Sequence, residues 1–179
     1  MTTRMIALLR GINVGGANKV PMEALRALAV KLGFADVSTY IASGNLFVTS
    51  ALDAEATERA LEAAIAKKFS LEIPVIVRTR EQWSVYAKGS PFADAERDRP
   101  NILHLALSKR PLVAGAAAAL GAYAKNGERL SALEDGLWID FNEGAGRSKL
   151  TPAVLDRLAG SPVTARNFNS VKKIAELLG

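Results

Sequence analysis

One order of structural elements occurs twice along this chain, and this repetition constrains the fold more than any other feature. In the first half, an apolar run at 5–11 is followed by a helical pattern at 21–34, two strand-like runs, a second helical pattern at 54–69 and a strand-like run at 73–79. Apolar residues recur every three to four positions in the helical patterns, and the strand-like runs are short apolar stretches, the run at 73–79 being rich in β-branched residues. The order β-α-β-β-α-β is typical of an antiparallel sheet with helices on one side.

The same order returns in the second half, after a connecting segment at 80–100 that we predict to be a short helix and a loop. It includes a helix at 112–124 and a hairpin whose tight turn we expect at Asp135-Gly136. The sequence therefore predicts an α+β protein of two tandem ferredoxin-like units. They span 1–79 and 101–179, and the second ends in a C-terminal helix.

Composition narrows the possible functions. Of the 179 residues, 49% are hydrophobic and none is cysteine, so we expect a packed core and exclude disulfides and thiolate metal sites. The absence of cysteine fits a cytoplasmic protein. No apolar run approaches the ~18 residues of a membrane span, so we predict no membrane partner. The formal net charge of +5 permits nucleic acid or a phosphorylated ligand as partner. The oligomeric state stays open.

Two polar loops of the first unit are expected to be neighbours. The loop RGINVGGANK leaves the first strand at the sheet end where SGN turns the hairpin. Together they offer polar side chains and glycine amides suited to an anion: Arg10, Asn13, Lys19, Ser43 and Asn45, with Gly15, Gly16 and Gly44.

A second set of candidate residues lies in the other half. The loop NEGAGRSKL and the end of the last strand, TARNFNS, should meet at one sheet end, where two helices begin. Helix N-termini favour anions, and guanidinium groups bind phosphate or carboxylate. The candidates are Arg147, Ser148, Lys149, Arg166, Asn167 and Asn169.

Plainer interpretations stand beside these. RGINVGG lacks the G-x-G-x-x-G spacing and GAGRSK is not a P-loop, so each is also explained as a turn or a helix cap. Asp140 and Glu143 are candidate bases or magnesium ligands, or they pair with nearby cations. His104, alone between leucines in a strand, is expected to be structural. The sequence shows no set of residues that indicates a metal site, and it indicates no other cofactor.

The motifs LLRGINVGG, TYIASGNLFV, GAGRSKL and TARNFNSVKKIAEL together resemble the bacterial family known as domain of unknown function 1697. The resemblance implies two ferredoxin-like halves and no established activity. This chain has Phe168-Asn169-Ser170 where relatives carry Trp-Asn-Thr, and Ala42 where they tend to have glutamine. Its motif positions include further residues: Gly11, Gly146 and Thr164.

Three hypotheses about function follow. The first is binding of a phosphate-bearing ligand, either a nucleotide or nucleic acid, the latter requiring exposed aromatic rings for base stacking. The candidate rings are Tyr40, Phe47, Trp138 and Phe168. The second is a transferase or hydrolase acting on a small phosphorylated or carboxylated metabolite, with Asp140 or Glu143 as base or metal ligand. The third is that the motif residues are structural and join the two halves.

Overall fold

The computed structural model describes all residues, Met1–Gly179. The chain divides into two compact units, one formed by Met1–Ser84 with Ile174–Gly179 and the other by Val85–Lys173. Each unit contains one four-stranded antiparallel sheet.

The first sheet has the strand order β2-β3-β1-β4, in which β1 is central and pairs with both β3 and β4. This is the order expected of a ferredoxin-like unit. Its elements are β1 (Thr3–Leu9), α1 (Met22–Lys31), β2 (Ala35–Tyr40), β3 (Asn45–Ser50), α2 (Ala54–Phe69) and β4 (Val75–Thr79).

The second sheet repeats this arrangement with the order β6-β7-β5-β8. The predicted α+β class and the doubled ferredoxin-like topology are therefore confirmed. No helix in the chain is both long and apolar enough to span a membrane. The remaining elements are α3 (Arg80–Tyr86), α4 (Ala93–Asp98), β5 (Leu103–Ser108), α5 (Ala116–Gly121), β6 (Arg129–Leu133), β7 (Gly136–Asp140), α6 (Pro152–Ala159), β8 (Val163–Asn167) and α7 (Phe168–Leu178).

The core of the first unit forms between one face of its sheet and helices α1 and α2. Met5, Ala7 and Leu9 of β1 pack in one cluster with Leu25 of α1 and Leu61 of α2. This is the consequence of alternation in the strand and of a three-to-four-residue repeat in the helices. In the second unit, a corresponding cluster includes Ala106 of β5, Ile139 of β7 and Leu155 of α6.

The opposite face of each sheet is also buried. In β1, the intervening residues Ile6 and Leu8 are 0% and 1% exposed, and in β5 Leu103 and Leu105 are 0% and 1% exposed. Strands buried on both faces have continuous apolar sequences rather than strict alternation. The run MIALL in β1 shows this pattern.

Helix α5 is shorter than predicted. The sequence pattern suggests a helix at 112–124, whereas α5 covers only Ala116–Gly121. Gly115 adopts a left-handed conformation (φ 78°), which interrupts a right-handed helix. Before it, the Leu112 and Val113 amides donate to the carbonyls of Glu134 and Ala159, so this segment is hydrogen-bonded to other parts of the unit.

The hairpin turn and the connecting segment also differ from the prediction. The two-residue turn is Glu134-Asp135, and Gly136 is the first residue of β7 with a negative φ. The glycine is required because its α-carbon lies against the backbone of Ala106, where a β-carbon would collide. The segment predicted as a loop contains helix α4.

Substitution of Gly44 is expected to be costly for two separate reasons, its backbone conformation and its close packing. It has a φ of +86°, and a β-carbon added there would lie 2.9 Å from the Leu9 β-carbon and 3.0 Å from the Leu9 carbonyl oxygen. Gly44→Ala should therefore lower the free energy of unfolding by about 1–2 kcal/mol for the left-handed backbone and by a further ~1–3 kcal/mol for overpacking. Urea denaturation followed by circular dichroism measures this change.

Gly16→Ala is the matched control. Gly16 has a similar φ of +81°, but nothing lies within 4 Å of its added β-carbon. It should lose only the backbone contribution of about 1–2 kcal/mol. Equal losses in the two variants would contradict the proposed role of close packing at Gly44.

Candidate functional site

The two polar loops of the first unit are in direct contact. After β1, residues 10–19 form a loop in which Ile12 is 1% exposed, and Val20, the residue after it, is also 1% exposed. The Leu9 amide donates to the Gly44 carbonyl at 2.8 Å, and Asn13 Nδ2 donates to the Ala42 carbonyl at 2.9 Å. The loop and the hairpin turn are thus neighbours at one end of the sheet, as the topology predicts.

The polar groups of Asn13 are all used within the first unit. Its Nδ2 also donates to the Val20 carbonyl at 3.0 Å, and its Oδ1 accepts from the Val20 amide at 2.9 Å. Since an asparagine amide has two donor hydrogens, both are occupied. Asn13 therefore fixes the shape of the loop, with a left-handed backbone (φ 55°), and has no donor left for a ligand.

The hairpin turn has a similar internal network. Asn45 is 0% exposed, and its Nδ2 donates to the Tyr40 carbonyl and to Ser43 Oγ at 3.0 and 3.2 Å. Ile41 in the turn has a φ of 50°, an unusual value for a β-branched residue. Asn45 is the first residue of β3 rather than part of the turn. Its side chain stabilises the turn through the two hydrogen bonds to Tyr40 and Ser43.

Exposed groups at this end come from the tip of the first loop. Gly15 and Gly16 are exposed and left-handed, and Lys19 is exposed beside them. Arg10 is half-buried, and its amide donates to the Pro74 carbonyl at 3.0 Å. This end of the first unit therefore presents backbone amides and one exposed lysine.

In the second unit, the loop after β7 is held by a buried carboxylate. We call residues 142–150 the GRSK loop. Ser148 Oγ donates to Glu128 Oε1 at 2.5 Å and accepts from the Leu150 amide at 3.1 Å. Ser148 and Glu128 are each 8% exposed. The hydroxyl is therefore part of the loop's internal structure.

Asn126 connects the GRSK loop to the segment before β6. Its amide donates to Glu128 Oε2 at 2.7 Å, and its Nδ2 donates to the Arg147 carbonyl at 2.8 Å. Burial raises the pKa of Glu128, but the hydrogen bonds from Ser148 and from the Asn126 amide outweigh it, so the pKa lies below its usual value. The carboxylate is thus ionised and anchors the loop.

The basic side chains of the GRSK loop are exposed. Arg147 and Lys149 flank the buried Ser148, and neither side chain forms a hydrogen bond or an ion pair. Lys125 is exposed on the adjoining segment. Glu143, the exposed acid of this loop, likewise has no side-chain partner. The loop therefore exposes two unpaired cations, and its backbone is held by hydrogen bonds within the second unit.

The residues at the end of β8 have structural roles. Asn167 Oδ1 accepts from the Ser170 amide at 2.9 Å and so caps the start of α7. Asn169 Nδ2 donates to Asn101 Oδ1 at 2.7 Å. Arg166 is 8% exposed, donates to Thr164 Oγ1 and the Ala165 carbonyl, and has its pKa lowered to about 10 by burial. Burial removes Arg166 from the exposed charge donors.

Asp140 lies in an ion network that the sequence analysis did not identify. Its side chain is 1% exposed and accepts from Arg99 Nη2 at 2.6 Å and from Arg129 Nη2 at 2.7 Å. Both arginines also contact Asp94, at 2.9 and 2.8 Å. The two arginines and the two aspartates therefore have no net charge together. The Arg129 guanidinium also lies 4.6 Å from the centroid of the Phe92 ring.

This network determines the ionisation of both carboxylates. Hydrogen bonds from Arg129 and then Arg99 lower the pKa of Asp94 to about 2. Burial raises the pKa of Asp140, but the bonds from Arg99 and Arg129 outweigh it, and the pKa lies below its usual value. Arg99 and Arg129 occupy both Asp140 oxygens. The pairing interpretation therefore describes Asp140 better than a role as base or magnesium ligand.

Most of the candidate stacking rings are buried. Phe47, Trp138 and Phe168 are 0%, 2% and 6% exposed, while Tyr40 is half-buried. His104 contacts the ring of Phe141 in a T-shaped arrangement at 5.0 Å, and its Nε2 lies 3.3 Å from the Asn101 carbonyl. Burial lowers the pKa of His104. The rings of Phe47, Trp138 and Phe168 are thus buried and not available for stacking on a base, so the expectation of exposed rings at these positions is wrong.

Two ferredoxin-like units with structured polar loops at the sheet ends define an α+β protein. Residues 1–138 match the family model described as protein of unknown function (DUF1697), and the chain belongs to this family. The matched residues include both loops of the first unit and end before the GRSK loop.

Among solved structures, the fold is similar to that of the conserved bacterial protein SP0830 from Streptococcus pneumoniae. The TM-score is 0.79 at 26% sequence identity, and the match covers 100% of each chain. No curated protein matches the sequence.

The ion network predicts a stability that depends on pH. The unfolded carboxyl groups take up protons near their ordinary pKa of about 4, whereas Asp94 and Asp140 stay charged in the folded protein. The unfolded state thus binds more protons in this range, so the stabilisation is present above about pH 4 and is lost as the pH falls toward 2. Asp140→Asn should flatten this dependence, and should lower the free energy of unfolding at pH 7 by about 2 kcal/mol.

Urea denaturation between pH 7 and pH 2 tests both expectations. Glu143→Gln is the control, because Glu143 is exposed and has no side-chain partner. It should change the free energy of unfolding by less than ~0.5 kcal/mol. If Asp140→Asn behaved like this control at every pH, the network would contribute no net stability.

Proposed function

We propose that this protein is a cytoplasmic binding protein for a phosphate-bearing ligand and that the GRSK loop contacts the phosphate. The observation that carries the proposal is the pair of exposed, unpaired cations, Arg147 and Lys149, on a loop fixed by Glu128 and Asn126. A guanidinium binds two phosphate oxygens at once, and a nearby ammonium adds a point charge.

The internal hydrogen bonds of the loop support this proposal. The Arg147 carbonyl accepts from Asn126, and Ser148 is buried between Glu128 and the Leu150 amide. The backbone beneath both cations is thus ordered before a ligand arrives. A preorganised site loses less conformational entropy on binding than a flexible one.

The buried aromatic residues favour recognition of the phosphate over recognition of a base. Sequence-specific binding of single-stranded RNA usually relies on exposed rings that stack on unpaired bases. Phe47, Trp138 and Phe168 are all buried. The ligand is therefore held through its phosphates, as in a nucleotide, a sugar phosphate or a nucleic-acid backbone.

The enzyme hypothesis has less support. Asp140 is engaged by two arginines, and Glu143 is the acid of this region that remains exposed and unpaired. A magnesium-dependent ligand signal that disappears in Glu143→Gln would favour catalysis or metal binding at this loop.

A thermal-shift panel tests the binding proposal. Inorganic phosphate, polyphosphate, nucleotides, sugar phosphates and short single- and double-stranded oligonucleotides are each added with and without magnesium. A ligand at ~100 times its Kd stabilises the folded state by about 2.7 kcal/mol, a clear rise in Tm. We expect Arg147→Ala and Lys149→Ala to abolish the rise while changing the stability of the unliganded protein by less than ~0.5 kcal/mol.

Arg59→Ala and Lys67→Ala are controls that remove the same charges from exposed positions on α2. Both controls should keep the ligand-dependent rise. The proposal fails if none of the phosphate compounds raises the Tm, or if the rise survives in Arg147→Ala and Lys149→Ala.

A further inference from the structure

Three of the four sheet edges are protected by side chains or by irregular backbone. The β2 edge has a register shift between Ala35 and Ser38, with Asp36 in the left-handed region (φ 48°). Arg4 Nη1 also donates to the Asp36 carbonyl at 2.6 Å. Bulges and side-chain caps of this kind prevent another strand from pairing with an edge.

The β4 and β8 edges are capped by carboxylates from the neighbouring helices. Glu62 and Glu58 of α2 accept from the Val75 and Val77 amides at 2.9 and 3.0 Å. In the second unit, Asp156 of α6 accepts from the Val163 amide at 2.8 Å. These carboxylates occupy amides that an added strand would otherwise bind.

The β6 edge lacks such protection. All five residues, Arg129–Leu133, pair with β7 in continuous register, without a bulge. No side chain donates to or accepts from the backbone of residues 130–133, and this stretch, Leu-Ser-Ala-Leu, carries no charge. Because β6 has a strand on one side only, alternate backbone groups point outward from the sheet.

An apolar groove lies beside this edge. It has a volume of about 500 Å³ and is formed by the segment before α5, the first residues of α5, the end of β6 and the turn residue Glu134, with Pro111, Leu112, Val113, Ala132 and Leu133 in its walls. Val113 is 51% exposed, and Ala132 is exposed as well. A strand added to β6 would place alternate side chains over this groove.

We infer that β6 pairs antiparallel with β6 of a second copy of this chain, joining two four-stranded sheets into one. Identical edges satisfy each other under two-fold symmetry, so the same backbone groups and the same groove are used twice.

Charge also favours the second copy as the occupant. Lys125 is exposed in the segment before β6, and Glu134 is exposed in the turn after it. Antiparallel pairing brings the beginning of one strand to the end of the other. The lysine of each copy therefore approaches the glutamate of its partner, whereas parallel pairing would set like charges side by side.

Sedimentation equilibrium of the full chain tests the inference between about 1 and about 500 µM protein, a range that covers weak and moderate dimers. We expect a dimer whose Kd rises at least ~10-fold in Ala132→Lys, because the added charges enter the groove of both copies. The matched control is Ser38→Lys, which places a lysine at an exposed position on the protected edge strand β2 and should leave the Kd unchanged. Circular dichroism and Tm establish that both variants fold.

Hydrogen exchange provides a second measurement at the same site. The outward-facing amides among residues 130–133 should exchange more slowly as the concentration of wild-type protein rises, and this slowing should be absent in Ala132→Lys. A dimer that Ala132→Lys leaves intact would overturn the inference. A wild-type monomer over the whole range would also overturn it, and if that monomer bound a synthetic peptide of residues 128–135, the edge would belong to an extended segment of another protein.

Discussion

Hydrogen bonding of polar groups within each unit controls how the loops at the sheet ends are built. Asn13 and Asn45 close the two loops of the first unit, while Ser148 and Glu128 fix the GRSK loop of the second. No buried side-chain nitrogen or oxygen atom lacks a partner. Because an unpaired buried polar group costs about 1–3 kcal/mol, these contacts are required for the loops to keep their shape.

This requirement separates the motif residues into two groups. Asparagine and serine side chains bind backbone and side-chain groups of their own unit, so their presence is explained by folding alone. Arg147 and Lys149 make no such contact, although they lie on either side of the buried Ser148. Two exposed cations of this kind contribute little to stability. Folding therefore gives no reason for two cations at these positions of the hydrogen-bonded loop.

Strand order and the main helices could be predicted from the sequence because apolar periodicity determines which surfaces must be buried. The contact between the two loops of the first unit could also be predicted, because the topology places both loops at one end of the sheet. The backbone conformations of the glycines could not be predicted from the sequence. Gly115 ends the helical pattern from within, and Gly136 is required for close packing in the sheet rather than for the turn.

A small error in the turn explains why the ion network could not be predicted. A turn at Asp135-Gly136 would set Asp140 opposite Ser131, whereas the observed turn sets it opposite Arg129. In an antiparallel pair, residues directly opposite are the closest neighbours on a face, so the observed register sets Arg129 beside Asp140, whereas the expected turn would have left them as more distant diagonal neighbours. Arg99 and Asp94 come from a segment with no sequence pattern linking them to the hairpin. Their contribution depends on tertiary packing.

The ion network of Asp94, Arg99, Arg129 and Asp140 also limits which cations of the protein are available to an anion. The chain has 23 basic and 18 acidic residues, yet Arg99, Arg129, Asp94 and Asp140 neutralise one another. An incoming phosphate would have to displace a carboxylate to bind either of these arginines, and it would gain little from the exchange. At Arg147 and Lys149 no carboxylate has to be displaced, so the whole charge interaction is available to the ligand. Net charge alone therefore does not tell which cations are available to an anion, whereas the pairing of each cation shows which charges are already engaged.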